Sequence, residues 1–353
     1  MVFVDIETYS EADLPKVGTH AYARHPSTEI LICCWAEGDN PVQVWDVTEQ
    51  PPPPDLLHAL GNGWLCAHHA AFERLVFQYA FDQPTQIEQW HDTAVLALIC
   101  GLPASLGMVG KVLGWGDDKA KMADGQKLVR MFSMPTPGNH IKRRYTKADK
   151  PEQWARFIDY CVRDVEASRR LWYELPHAVY ELERENWLID QAINDRGLPV
   201  DVEFINAAIE ATQEAIARGN AELSYLTKGA VSSVTELAGM REWLEGFGMR
   251  FASLDKAGVT ALLAQVLPTP ARRALELRQE VGRSGVAKYT AAANSQTNGR
   301  VYGTLQFYGA NRTGRAAGRL VQPQNMQRPT LHGDDYDQGV AAIKHRTVGI
   351  LHD

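Results

Sequence analysis

Several features are scarce in this 353-residue chain, and each scarcity excludes a class. Cysteine is rare and irregular: Cys33, Cys34, Cys66, Cys100 and Cys161 are an odd set with no C-x-x-C spacing. That argues against a disulfide framework and a thiolate metal site, leaving buried free thiols as the expectation. Gly (28) and Pro (18) are too few and too scattered for a fibrous or low-complexity chain. No apolar run approaches the roughly 18 residues that a membrane span requires. The N-terminus, MVFVDIETYS, places carboxylates where a signal peptide carries a basic region and an apolar core. A cytoplasmic protein with no membrane partner is expected.

The composition is globular, with 45% hydrophobic and 22% charged residues. At about 150 residues per domain, the length accommodates two domains and a fragment of a third. A formal net charge of −7 conceals a division along the chain. Residues 1–118 sum to −12, whereas residues 119–150 sum to +7 and residues 271–330 to +8. Two basic tracts on an acidic chain mark either places where a polyanion lies or solvated faces.

Residues 1–177 alternate between strand and helix patterns, which predicts an α/β domain. VFVDIET, TEILICCWAEGD and PVQVWDV are strand-like, and the turn Gly38-Asp39-Asn40-Pro41 joins the latter two into an antiparallel meander. DLLHALG and FERLVFQYAF have helical spacing around the strand-like GWLCAHH, and a short strand is expected at 87–90. Asp92 is an N-cap candidate for the helix TAVLALICGL, and a long helix is expected from Pro151 to about Leu175. Residues 178–293 are helical by pattern, with a loop at 194–199 and breaks near Gly229, Gly246–Gly248 and Pro268–Pro270. From 294 onward a Gly/Gln/Asn-rich stretch holds one strand-like segment, VYGTLQFYG. The acidic GDDYDQG (Gly333–Gly339) is expected to be a loop.

The chemistry lies in a sparse set of carboxylates. Asp5 and Glu7 alternate along the first strand, so they share a face, and two carboxylates that close call for a compensating cation. Tyr160 and Asp164 stand one turn apart on the long helix. Between them in sequence, His69 and Glu73 fall where a strand gives way to a helix, at the edge of the sheet where sites form in α/β folds.

In this order, a strand Asp-x-Glu, a junction carboxylate and a late Tyr-x-x-x-Asp resemble the three motifs of the DnaQ-like, DEDDy 3′→5′ exonucleases. The resemblance implies an RNase H-like mixed-sheet domain over 1–177. It also implies two divalent ions, Mg²⁺ or Mn²⁺, that assist hydrolysis of the 3′-terminal phosphodiester of DNA. Carried over, Asp5 bridges both ions and Glu7 and Asp164 complete the first site. Glu73 helps hold the second through water, and Tyr160 orients the attacking water. Thr8 follows the Asp-x-Glu as in relatives that contact the terminal nucleotide, or is simply a strand-end Thr, and His69 is a further candidate DNA contact. Glu73 departs from the family, whose second motif commonly ends in Asp. The difference is one methylene, about 1.5 Å of reach.

The second half extends the resemblance. ENWLIDQAINDRGLPVD and ALELRQEVGRSGVAKY are similar to thumb segments of family A DNA polymerases, which implies a helical thumb-like domain over 178–293. Thr313-Gly314-Arg315 and Gln322-Pro323-Gln324-Asn325 resemble the passage from thumb to palm, so 294–353 is expected to open an incomplete palm. Arg312, Arg315, Arg319, Gln324 and Asn325 are there the implied DNA contacts, residue types suited to phosphate and groove edges. No counterpart of the polymerase carboxylates follows, so the expectation is an exonuclease of phage type acting in a host cytoplasm. Its expected partners are a single-stranded or frayed 3′ end, primer-template duplex, and a separate polymerase half carrying palm and fingers. His68, His69, Trp35, Trp64 and Trp115 are candidates for base stacking, although most tryptophans are expected in the core. The alternatives are a DNA-binding clamp without catalysis and a nuclease acting on RNA.

Overall fold

A computed structural model of the chain describes residues 1–116, 119–138, 142–281, 286–310, 312–326 and 328–347. Its packing divides into two units: Met1–Pro199 with Asn294–Met326, and Val200–Ala293 with Gln327–Asp353. The sequence-based boundaries at 178 and 294 mark resemblances and need not coincide with units of packing.

The first unit is built on a five-stranded mixed sheet. β1 (Val2–Tyr9) is central, with β2 (Glu29–Glu37) antiparallel on one side and β3 (Gln43–Asp46) antiparallel beyond it. On its other side lie β4 (Leu65–Ala67) and β5 (Trp90–Asp92), both parallel. The expected meander is therefore present. Val2, Phe3, Val4 and Ile6 are all buried, as a strand covered on both faces requires.

The helices follow in chain order. α1 (Leu14–Val17) and α2 (Thr19–Ala23) lie between β1 and β2, and α3 (Pro54–Asn62) precedes β4. α4 (Ala71–Tyr79) joins β4 to β5, and α5 (Thr93–Ile99) and α6 (Leu106–Val112) follow. α7 (Lys119–Phe132) and the 24-residue α8 (Pro151–Glu174) come next. Phe157, Cys161, Val165, Leu171 and Trp172 of α8 are buried, so the long helix turns one apolar face inward. Six of the nine tryptophans are buried, Trp35 among them, whereas Trp64 is exposed.

α9 (His177–Arg196) also belongs to the first unit, with Tyr180 and Trp187 in its core. After it, β6 (Leu198–Pro199) begins a small antiparallel sheet. The second unit then opens with α10 (Val202–Leu226), α11 (Leu237–Glu245), α12 (Lys256–Leu263) and α13 (Thr269–Val281). Asp201 and Asp255 cap α10 and α12 through the N–H groups of Phe204 and Gly258. Leu223, Val234, Met240, Leu244, Leu262 and Leu275 form its apolar centre. α14 (Val286–Ser295) returns the chain to the first unit. There β7 (Gln296–Thr297) and β8 (Arg300–Val301) complete the sheet with β6, and β9 (Leu305–Ala310) pairs with β10 (Arg315–Gly318).

Three local expectations are corrected. The segment expected as a strand at 87–90 is a 3₁₀ turn over Ile87–Gln89, and pairing starts at Trp90. VYGTLQFYG is divided between β8 and β9, because Gly303 at φ 63° turns the chain between them. The acidic GDDYDQG is helical rather than a loop: it opens α15 (Asp334–Lys344), with Asp334, Asp335 and Asp337 in the first turn, where the helix dipole favours negative charge.

Candidate active site

The site begins where β1 outruns its parallel neighbour. β4 pairs with β1 at Val2 and Phe3 and ends at Ala67. Asp5, Glu7 and Thr8 therefore lie beyond the end of β4, and the chain at 68–70 turns there into α4. A bulge between Glu7 and Thr8 shifts the β1–β2 register at this point.

The turn into α4 is held by one carboxylate. Asp92 accepts hydrogen bonds from the backbone N–H groups of His69 (3.1 Å) and Ala70 (3.0 Å). The same side chain caps α5 through Ala94 N–H (2.8 Å) and Val95 N–H (3.3 Å). His69 sits at φ 72°, a left-handed conformation unusual for a residue with a Cβ, and the Asp92 bonds restrain it. His69 itself is exposed, and its ring meets that of His68 edge-on at 4.9 Å.

From this junction α4 carries Glu73 into the interior, where it is 3% exposed and its Oε2 has no hydrogen-bond partner. Burial pushes the Glu73 carboxyl well above its ordinary range, and the charge of Asp5 adds to this. Glu7 is raised by burial and then by Asp5, Asp164, Cys34 and Glu73. Asp5 is raised by burial and by Asp164. Asp164 is pushed up to about 6 by burial, with the Tyr160 hydroxyl and Arg163 opposing. The phenol stands one turn from Asp164 on α8 and is held above its usual range by burial and the charges of Asp164, Glu7 and Asp5.

The structure thus brings Asp5, Glu7, Glu73, Tyr160 and Asp164 into one another's fields from β1, α4 and α8. Four mutually repelling carboxylates with an unpaired buried oxygen suit a hard divalent cation, whose preferred ligands are carboxylate oxygens. As the side chains stand, no group of three or more His, Cys, Asp or Glu among the described residues is arranged to hold an ion. The donor chemistry fits a divalent metal, but a complete coordination sphere is not assembled.

Supporting contacts surround these groups. Cys161, next to Tyr160, points its thiol at the Asp5 carbonyl (3.5 Å) and ties α8 to β1. Thr8 Oγ1 lies 2.7 Å from the Tyr22 hydroxyl. Tyr22, on α2, is a neighbour that no sequence spacing signalled. Asp92 was legible only as a helix cap; its second role, across 23 residues to His69, requires the fold.

The remaining expected contacts occupy other elements. Arg312, Arg315 and Arg319 are exposed on and beside the β9–β10 hairpin, and Gln324 and Asn325 are exposed in a 3₁₀ turn after it. None of the five is on an element that carries a carboxylate of the site. The basic tract 119–150 is partly neutralised at home: Lys142 pairs with Asp149, Arg144 with Glu29, and Lys147 with Asp46 and Glu49. Lys127, Arg130 and Arg143 are exposed. Trp115 donates from its indole to Glu174 (2.7 Å).

No protein-family model matches the chain. Over 340 residues, 94% of its length, the chain is 37% identical to a DNA polymerase of Bacillus phage SP02. The chain is homologous to a phage DNA polymerase. It spans about half of that relative, 52% of its length. A solved structure, the POL domain of Pol1 from M. smegmatis in complex with DNA primer-template and dNTP, shares the fold at a TM-score of 0.52 and 14% identity. That likeness covers 93% of this chain and 52% of the other. Among the described residues no helix is long and apolar enough to cross a membrane.

Proposed function

We propose that residues 1–177 form a divalent-metal-dependent 3′→5′ exonuclease of RNase H-like type acting on the 3′ end of DNA. In this reading 178–293 serve as a thumb-like domain and 294–353 as the start of a palm. The observation that carries the proposal is the gathering of Asp5, Glu7, Glu73, Asp164 and Tyr160 from three elements around the end of β4. Homology to a phage DNA polymerase supports DNA as the substrate, and the mixed sheet with its meander accords with the fold.

Asp5, Glu7 and Asp164 would hold one ion, and Asp5 with Glu73 a second. When bound, the ions lower the pKa of water and stabilise charge on the phosphate. The protein's own contributions are distinct. Asp5, Glu7, Glu73 and Asp164 supply the negative charge that concentrates cations at an otherwise desolvated spot. The Tyr160 hydroxyl, one turn from Asp164, would keep a polar group facing the place where water must stand. Thr8, next to Glu7 on β1, and His69, in the turn into α4, would contact a terminal nucleotide. Arg312, Arg315, Arg319, Gln324 and Asn325 would hold the DNA backbone farther along the chain.

The test uses single-stranded DNA labelled at its 5′ end, with Mg²⁺ or Mn²⁺, an EDTA control and the Asp5→Ala variant. A ladder shortening from the 3′ end, absent in both controls, is the expected result. Salt-sensitive binding to primer-template duplex without any cleavage would overturn it in favour of a DNA clamp. Equal cleavage of an RNA strand would overturn the assignment of DNA as substrate.

A further inference from the structure

Gly125, in the interior of α7, faces the ring of Tyr160. A Cβ built on Gly125 would stand 2.5 Å from Tyr160 Cε2 and 2.6 Å from Cδ2. Real side chains do not approach that closely, so the backbone of α7 is pressed against one edge of the ring. Glycine is disfavoured in a helix interior relative to alanine, so its presence here calls for a local reason, and the ring edge supplies one.

The contact fixes what the other end of the ring can do. Tyr160 lies on α8, and Cys161 beside it ties that turn of α8 to the Asp5 carbonyl (3.5 Å). The tyrosine backbone is thereby held against β1 while α7 blocks the ring from swinging outward. The hydroxyl at the far end of the ring is kept on the side of Asp164, one turn away on the same helix. A side chain at position 125 would displace the ring edge and carry the hydroxyl with it. Displacements of this size at a reacting centre are costly because rate depends steeply on placement.

We propose that Gly125 is a positioning residue for the site: its missing side chain lets α7 clamp the Tyr160 ring so that the hydroxyl stays beside the carboxylates. The catalytic consequence rests on the exonuclease reading above, whereas the contact itself does not.

The experiment compares wild type, Gly125→Ala, Tyr160→Phe and the double variant on labelled single-stranded DNA with Mg²⁺. Alongside runs a thermal-unfolding cycle pairing Gly125→Ala with Tyr160→Leu. Gly125→Ala should lower kcat at least about 10-fold with KM for DNA unchanged. The double variant with Tyr160→Phe should lie within about 2-fold of Tyr160→Phe alone, since both act through one hydroxyl. In the unfolding cycle Gly125→Ala should lower Tm, and adding Tyr160→Leu should recover most of that loss by removing the ring. Recovery of a folded protein only in the Gly125→Ala/Tyr160→Leu pair would support the contact equally. Wild-type kcat in Gly125→Ala, or losses that multiply in the double variant, would overturn the proposal. If wild type itself cleaves nothing, the exonuclease reading fails, and the unfolding cycle still decides the clamp: additive Tm shifts would overturn it.

Discussion

The carboxylate of Asp92 accepts the backbone N–H of His69 at 3.1 Å, and this bond holds a left-handed histidine at the mouth of α4. Through that turn the chain leaves β4 and delivers Glu73 to the buried carboxylates of β1 and α8. A residue read locally as a helix cap is thus also the fastening for one wall of the candidate site.

Replacing Asp92 by Ala removes four acceptor contacts at once: two at the cap of α5 and two at the turn. The expected loss is about 3 kcal/mol, combining a cap with buried N–H groups left unpaired. Urea unfolding measures it. A change below about 0.5 kcal/mol would mean that the turn is held by packing alone.

Glu73 is the carboxylate that departs from the family pattern. Glu73→Asp should leave the cleavage rate unchanged or raise it, because the shorter acid is the commoner side chain in that motif. Glu73→Gln should raise the Mg²⁺ concentration needed for half-maximal activity by about 10-fold or more, since a neutral amide is a poorer ligand. Metal-activation curves of both variants decide the matter, and an unshifted curve for Glu73→Gln would remove Glu73 from the ligand set.

His68 makes stability depend on acid. Its Nε2 donates to the Ala104 carbonyl (2.7 Å), and burial first, then the charge of His69, pull its pKa down to about 3. An unfolded histidine titrates near 6.5, so between about 6.5 and 3 the unfolded chain binds a proton that the native chain does not. The stabilisation is complete above pH 6.5 and is lost as pH falls through that window. The slope this one residue adds is about 1.4 kcal/mol per pH unit at most. Denaturation at a series of pH values should show a shallower acid limb for His68→Gln, and parallel limbs would contradict the assignment.

Asn194 reaches across 111 residues to pair with Leu305, donating to its carbonyl and accepting from its N–H, both at 3.0 Å. The amide so imitates a strand neighbour for β9. Asn194→Ala should cost about 2 kcal/mol by leaving both backbone groups unpaired. It should also speed hydrogen exchange at the Leu305 amide. Unchanged exchange there would show that β10 alone secures β9.

Most strands and helices, and the residues of the candidate chemistry, were legible in the linear sequence. Apolar alternation in VFVDIET and the 3.6-residue spacing around Phe157, Cys161 and Val165 are local signals, so β1 and α8 were legible without a fold. So were the shared face of Asp5 and Glu7 and the one-turn spacing of Tyr160 and Asp164, since strand and helix periods dictate both. Where local signals compete, the reading failed. GDDYDQG carries loop-like composition, yet its acids suit the start of α15, and the apolar Val340, Ala341, Ala342 and Ile343 that make the helix amphipathic come only after it. Folding alone brings Glu73 to the β1 carboxylates, Asp92 to His69, Tyr22 to Thr8, and Gly125 to Tyr160. These residues stand 14 to 68 positions apart in the chain and meet only when strands, turns and helices pack together. No periodicity in a linear sequence encodes which side chains that docking brings together.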